Sequence, residues 1–303
     1  MTVKSAVLIA GPTASGKSAL ALEIAARTDG IVVNADSMQV YRDLRVITAR
    51  PTDDEMALAP HRLYGHVGAE ELYSAGRWLR DAEQEITSAR AAGKTAIVIG
   101  GTGLYFSALL KGLSAVPEVS SEVRQQIRDL GEKHENNTLH RMLAERDPRT
   151  AEEIRVPDRQ RVLRALEVIE ATGRGLAEWR DEPGVPALNS GDYRAIFLET
   201  DREALGLRID ARFDKMLVEG ALEEVKALNS RDLNPAMPAL KAHGVPWLTK
   251  YLNGEMPLEE AAAQGKRDTR QYAKRQETWF RNQLPEFQWV KPEAALDALL
   301  GRA

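Results

Sequence analysis

The 303-residue sequence contains no cysteine, so neither a disulfide framework nor a thiolate metal site can form. Its five histidines are scattered, and none forms the His-x-x-x-His pair of a helical zinc site. A reducing, cytoplasmic setting is expected. Long hydrophobic runs are missing too. The opening MTVKSAVLIAG offers an apolar run of about five residues before glycine, which suits a buried strand and is too short for a secretory signal or a membrane span. There is no internal repeat. Charge of one sign does not dominate: 41 Lys and Arg stand against 45 Asp and Glu, a net charge of -4. The whole molecule therefore does not advertise a polyanionic partner, and basic stripes must be weighed one at a time. What is present is bulk. At 303 residues with 43% hydrophobic content the chain can form one large domain or a core domain carrying a smaller one, and a monomer is expected.

Near the start, short β-rich runs alternate with helical stretches: SAVLIA, SGKSALALEIAART, GIVVNAD, a helix around 74 to 92, then TAIVIGG. This order predicts a parallel sheet covered by helices on both faces, the α/β arrangement of P-loop proteins. Another such run, YRAIFLET at 193 to 200, comes only after a charged segment of helical pattern that closes in the loop DEPGVPALNSGD. The expectation is a core domain of residues 1–112 and 193–303 interrupted by a helical insertion at 113–192. A helical C-terminal part follows, with Ile209, Phe213, Met216 and Leu217 on one apolar face and a basic helix over 257 to 283.

The stretch GPTASGKS, residues 11 to 18, carries the most specific chemistry. Between a strand and a helix, Gly11 and Gly16 let the backbone N–H groups of Thr13, Ala14, Ser15 and their neighbours curl around phosphate oxygens. Lys17 adds a cation, and the Ser18 hydroxyl can ligate Mg²⁺. A nucleotide hydrolase or kinase would also offer a second strand ending in a carboxylate. Here TAIVI ends in GGTGLY, with no acid, which weakens the hydrolase reading. Asp36, at the tip of GIVVNAD, is the remaining well-placed acid, able to bind metal or to act as a base.

GPTASGKS, NADSMQVYRDL, TARP, PHRLYG, GGTGLYF, DRQRVLRALEV, RIDARFDKML and AKRQETWFR together resemble the tRNA dimethylallyltransferases, also called tRNA isopentenyltransferases, in the family's order along nearly the whole chain. The resemblance implies the short bacterial form, without a zinc-finger extension. It implies transfer of a dimethylallyl group from its diphosphate to the exocyclic amine of the adenine 3′-adjacent to the anticodon, with Mg²⁺, and release of pyrophosphate. The phosphate held by the loop would then be discarded, so no water needs positioning and the missing carboxylate strand is expected. Two positions depart from the pattern. Arg50 stands where lysine is usual, and Val245 where many members carry an aromatic.

On this reading Asp36 takes the amine's proton. Thr13 and Thr102 donate hydroxyl hydrogen bonds near the reacting atoms, and Arg208 and Arg212 clamp the diphosphate. The implied RNA contacts are Asp36, Ser37, Met38, Gln39 and Thr102, then Arg124, Gln160, Arg161, Val162, Leu163 and Arg164 in the insertion, which would grip the anticodon stem-loop. On the last long helix Arg270, Lys274, Arg275 and Arg281 would meet phosphates, while Trp279 is expected in the core. Two rivals fit part of the sequence. A P-loop small-molecule kinase explains the loop and Asp36 and leaves the basic helix idle. A non-catalytic RNA-binding protein makes Asp36 and Thr102 accidental.

Overall fold

A computed structural model describes residues 6–182 and 184–301. The chain divides into two compact units, Met1–Leu110 with Ala187–Ala303, and Lys111–Pro186. In the first, β1 (Ala6–Ala10), α1 (Lys17–Thr28), β2 (Ile31–Asn34), α2 (Asp53–Leu58), β3 (His61–Arg62), α3 (Ala75–Ala91), β4 (Ala96–Gly100) and α4 (Gly103–Lys111) precede the insertion. The insertion holds α5 (Ser121–Lys133), α6 (Asn136–Arg146), α7 (Pro148–Glu153), α8 (Arg159–Thr172) and α9 (Leu176–Arg180). The chain returns with β5 (Tyr193–Leu198), α10 (Arg202–Val218), α11 (Ala221–Asn229), α12 (Val245–Leu252), α13 (Leu258–Gln283), β6 (Gln288–Val290) and α14 (Pro292–Leu300). Among the described residues no helix is long and apolar enough to cross a membrane.

Six strands form one parallel sheet in the order β3-β2-β4-β1-β5-β6. Successive side chains point to opposite faces, and both faces are buried. Thus Ala6, Leu8 and Ala10 enter the larger apolar cluster while Val7 and Ile9 enter the second. β4 divides in the same way, Ala96 and Val98 from Ile97 and Ile99. Such strands read as unbroken apolar runs, which is why no alternation marks them.

The insertion has its own core of Ile127, Leu139, Leu143, Val162 and Leu166. Its boundary differs from the expected 113–192. The core unit resumes at Ala187 because the Ala187 and Leu188 amides both donate to the Leu109 carbonyl, at 3.0 and 3.3 Å, and Leu188 is buried in the main core.

β1, β2, β4 and β5 all end on one edge of the sheet, where β1 leads into the glycine-rich loop, β2 into Asp36 and β4 into Gly101–Thr102. Close approach of two of these ends requires Gly100, since a Cβ there would lie 2.0 Å from the Ala35 carbonyl oxygen.

Candidate active site

The glycine-rich loop turns with Ala14 and Gly16 at positive φ, 64° and 91°. Nothing lies within 4 Å of where a Gly16 Cβ would sit, so conformation rather than space calls for glycine there. Gly11 is buried under the loop, its missing Cβ facing Ser15 Oγ and Leu198. Lys17 folds back over the loop and donates to the Gly11 and Pro12 carbonyls at 2.8 and 2.7 Å and to Ser15 Oγ at 3.4 Å. Burial pushes its pKa down to about 7, with Asp36 raising it and Arg212 lowering it further. Ser18 is exposed at the start of α1.

Asp36 is fixed by its neighbours. Its N–H donates to Asn34 Oδ1 at 2.9 Å, and its Oδ1 accepts the Met38 N–H at 2.9 Å. Asn34 is wholly buried; its amide donates to the carbonyls of Asp36 and Leu63, and its own carbonyl accepts Trp78 Nε1–H. Among the described residues Asp36 Oδ2 has no hydrogen-bond partner, so one carboxylate oxygen stays available at the cavity it lines. The Ser37 N–H donates to Thr102 Oγ1 at 3.0 Å, the Thr102 hydroxyl donates to Ser37 Oγ at 3.3 Å, and the Thr102 N–H donates to the Ala35 carbonyl at 3.2 Å. The turns after β2 and β4 are thereby stitched together.

Arg212 on α10 donates to Thr13 Oγ1. Burial lowers its pKa and Asp36 counteracts that. Two cations and one carboxylate thus feel each other at the strand ends. Thr13, Asp36, Ser37, Met38 and Arg212 line one cavity of about 160 Å³, whose other walls include Ile47, Phe213 and Met216. Its lining thus joins the charged Asp36 and Arg212 to an apolar wall of Ile47, Ile209, Phe213 and Met216, with Lys241 and His243 also on the wall.

Other expected residues lie elsewhere. Arg208 is exposed on α10 and is not among those lining the cavity. The Gln39 amide nitrogen donates to the Thr48 and Ala49 carbonyls at 2.9 and 3.0 Å, so it braces the neighbouring loop. Val162 is 1% exposed, while half-buried Leu163 packs on the core of the insertion, against Gly131. Gln160, Arg161 and Arg164 are exposed on α8, with Arg161 paired to Asp158 at 3.5 Å and Arg164 to Glu167 at 3.1 Å. Arg124 is half-buried on α5. Arg270 pairs with Asp210 and, with Lys274, borders a separate groove between α10 and α13 that Arg202 and Arg267 also line. Arg275 lies 5.8 Å from the centroid of the Tyr272 ring, and Arg281 stacks over Trp289 at 4.3 Å. Trp279 packs on Gly103, where a Cβ would meet its ring at 2.0 Å.

Three neighbours of the site were not anticipated. Gln276, 4% exposed, accepts the Thr13 N–H at 3.1 Å and donates to the Gly101 carbonyl at 3.0 Å, joining the phosphate loop to the turn after β4. Tyr272 lines the cavity; burial and then Asp36 raise its pKa, while Thr102 and Gln276 beside it work the other way. His243 lies 4.5 Å from the Tyr272 ring; burial and Arg275 lower its pKa while Asp268 and Asp36 oppose them. The signal for Gln276 was present in spacing. Ala262, Gly265, Thr269, Ala273, Gln276 and Phe280 form the buried face of α13, and a glutamine on such a face must find partners.

Residues 39–283 match a family model described as IPP transferase. A tRNA dimethylallyltransferase of Nitrobacter hamburgensis is 60% identical over 290 residues, 96% of this chain and 92% of that one. One from a Bradyrhizobium species is 59% identical over 293 residues, 97% and 96% of the two chains. Among solved structures, the tRNA isopentenylpyrophosphate transferase of Bacillus halodurans aligns with a TM-score of 0.70 at 31% identity, over 98% of this chain and 94% of that one. A eukaryotic dimethylallyltransferase caught acting on tRNA aligns with a TM-score of 0.81 at 28% identity, over 98% and 76%.

Proposed function

The chain belongs to the IPP transferase family, and from that premise we propose that it transfers a dimethylallyl group from dimethylallyl diphosphate to the N6 amine of the adenosine next to the anticodon in tRNA, at position 37. The observation that carries this reading is one cavity lined by both charged and apolar side chains. Thr13, on the phosphate loop, bonds Arg212, a carboxylate with an available oxygen lines the same cavity, and Ile47, Phe213 and Met216 give that cavity an apolar wall. A diphosphate and a short hydrocarbon need those two environments side by side.

The N6 lone pair attacks the first carbon of the prenyl group as its bond to the diphosphate oxygen breaks. Negative charge grows on the leaving diphosphate, where loop N–H groups, Lys17 and Arg212 can meet it. The amine proton passes to Asp36, whose Met38 and Asn34 contacts fix its position. Thr102, held against Ser37, which lines the cavity, is assigned to orient the amine on this reading. Among the described residues no three His, Asp or Glu side chains cluster as a metal cage. The Ser18 hydroxyl, an exposed oxygen at the start of α1, would help hold a Mg²⁺ ion, which would supply positive charge to the leaving diphosphate. The exposed Arg270, Lys274 and Arg275 and the exposed α8 residues Gln160, Arg161 and Arg164 supply phosphate contacts to the anticodon stem-loop.

With labelled dimethylallyl diphosphate, ATP and unmodified tRNA offered together, label is expected in tRNA with stoichiometric pyrophosphate and no ATP turnover. Phosphoryl transfer from ATP to a small acceptor would replace this reading with the kinase.

A further inference from the structure

The face of α10 that lines the cavity is a row of Ile209, Arg212, Phe213 and Met216, one helical stripe by its spacing. The row has a direction. Ile209 clusters with Leu205 and Ala273 where Ala14 of the phosphate loop packs, and Arg212 donates to Thr13. Phe213 and Met216 belong instead to the main core, with Ile47. The phosphate end of the cavity is therefore the N-terminal end of the row, and Met216 is its last member to line the cavity.

The Phe213 ring is packed directly against two glycines. A Cβ on Gly265 would lie 2.5 Å from its Cζ, and one on Gly244 would lie 3.0 Å from its Cε2. Glycine weakens a helix interior, and Gly265 sits inside the 26-residue α13, where its missing side chain admits the ring. With the Phe213 ring occupying that part of the wall, length is decided further along the row. From Arg212 to Met216 the helix rises about 6 Å at ~1.5 Å per residue. A dimethylallyl group runs three carbon–carbon bonds of about 1.5 Å from its reacting carbon to a terminal methyl, under about 5 Å in all. A second isoprene unit adds four more such bonds and runs into Met216.

Resting on the prenyl-transfer reading above, we propose that Met216 sets the donor's chain length, admitting a five-carbon and excluding a ten-carbon prenyl diphosphate. The test compares kcat/KM for geranyl and dimethylallyl diphosphate with tRNA as acceptor, alongside thermal unfolding of each protein. Met216→Ala should raise the geranyl-to-dimethylallyl ratio at least about tenfold, since a single methylene of misfit already discriminates by about that much. Ile209→Ala, at the phosphate end, should slow both donors and leave the ratio alone. If Met216→Ala does not fold, Met216→Val, which removes less volume, should move the ratio about threefold in the same direction. An unchanged ratio in whichever of the two folds, or an equal shift with Ile209→Ala, overturns the assignment. A wild-type protein that transfers neither group overturns the reading of function instead.

Discussion

Replacing Gln276 by leucine removes both ends of a buried bridge at nearly constant volume. The Thr13 N–H loses the acceptor it has at 3.1 Å and the Gly101 carbonyl loses the donor it has at 3.0 Å. An unsatisfied buried polar group costs about 1–3 kcal/mol. Gly101 is buried and Thr13 half-buried, so water can relieve the second more than the first, and a loss of about 2–4 kcal/mol is expected. Gln276→Glu separates the two contacts. A carboxylate still accepts from Thr13 but turns its other oxygen toward the Gly101 carbonyl, so the folded protein favours the protonated acid and raises that pKa. Stability is then fully present below the unfolded value near ~4.3 and is lost as pH rises through the raised folded value. A rise of two units would cost about 2.7 kcal/mol at neutral pH. Urea unfolding followed by circular dichroism at pH 5 and pH 8 measures both variants. The donor KM should rise more than the tRNA KM, because the bridge fixes the phosphate loop. A leucine variant with wild-type stability, or a glutamate variant equally stable at both pH values, would refute the bridging role.

Asp36→Asn keeps the hydrogen bond from Met38 but cannot take a proton, so single-turnover rates at saturating tRNA and donor should fall about 10²- to 10⁴-fold with little change in binding. Recovery at high Mg²⁺ would make Asp36 a metal ligand instead. Lys17 carries a pKa of about 7 through burial, and a bound diphosphate favours its charged form. Donor binding should therefore take up a proton above pH 7 and weaken toward tenfold per unit as pH rises, with no contribution from this group below pH 7. Calorimetry at pH 8 in buffers of different ionisation enthalpy counts that proton, and zero uptake refutes the linkage.

The sequence makes legible what depends on local pattern. β1, β4 and β5 announce themselves as apolar runs, and Asp36 and Thr102 follow from being where such runs stop. β3 and β6, two and three residues long, carry too little pattern to read, and exist because neighbouring strands supply their partners. The helices after β5 mislead in a more instructive way. On α13 the many cations draw the eye to the outer face, while the residue that joins two loops of the site is a neutral amide on the inner one. On α10, Arg208 and Arg212 stand four apart and belong to one stripe by count, yet Arg208 is exposed and Arg212 reaches Thr13. Helical side chains lean toward the helix N-terminus and cover the turn before their own. Arg212 therefore reaches back over the turn that holds Ile209, where Ala14 of the phosphate loop packs against the same cluster, whereas the same lean carries Arg208 over the turn that begins with the exposed Ala204. Equal spacing on a helix thus does not make two cations equivalent: what decides is which of them has the phosphate loop one turn behind it.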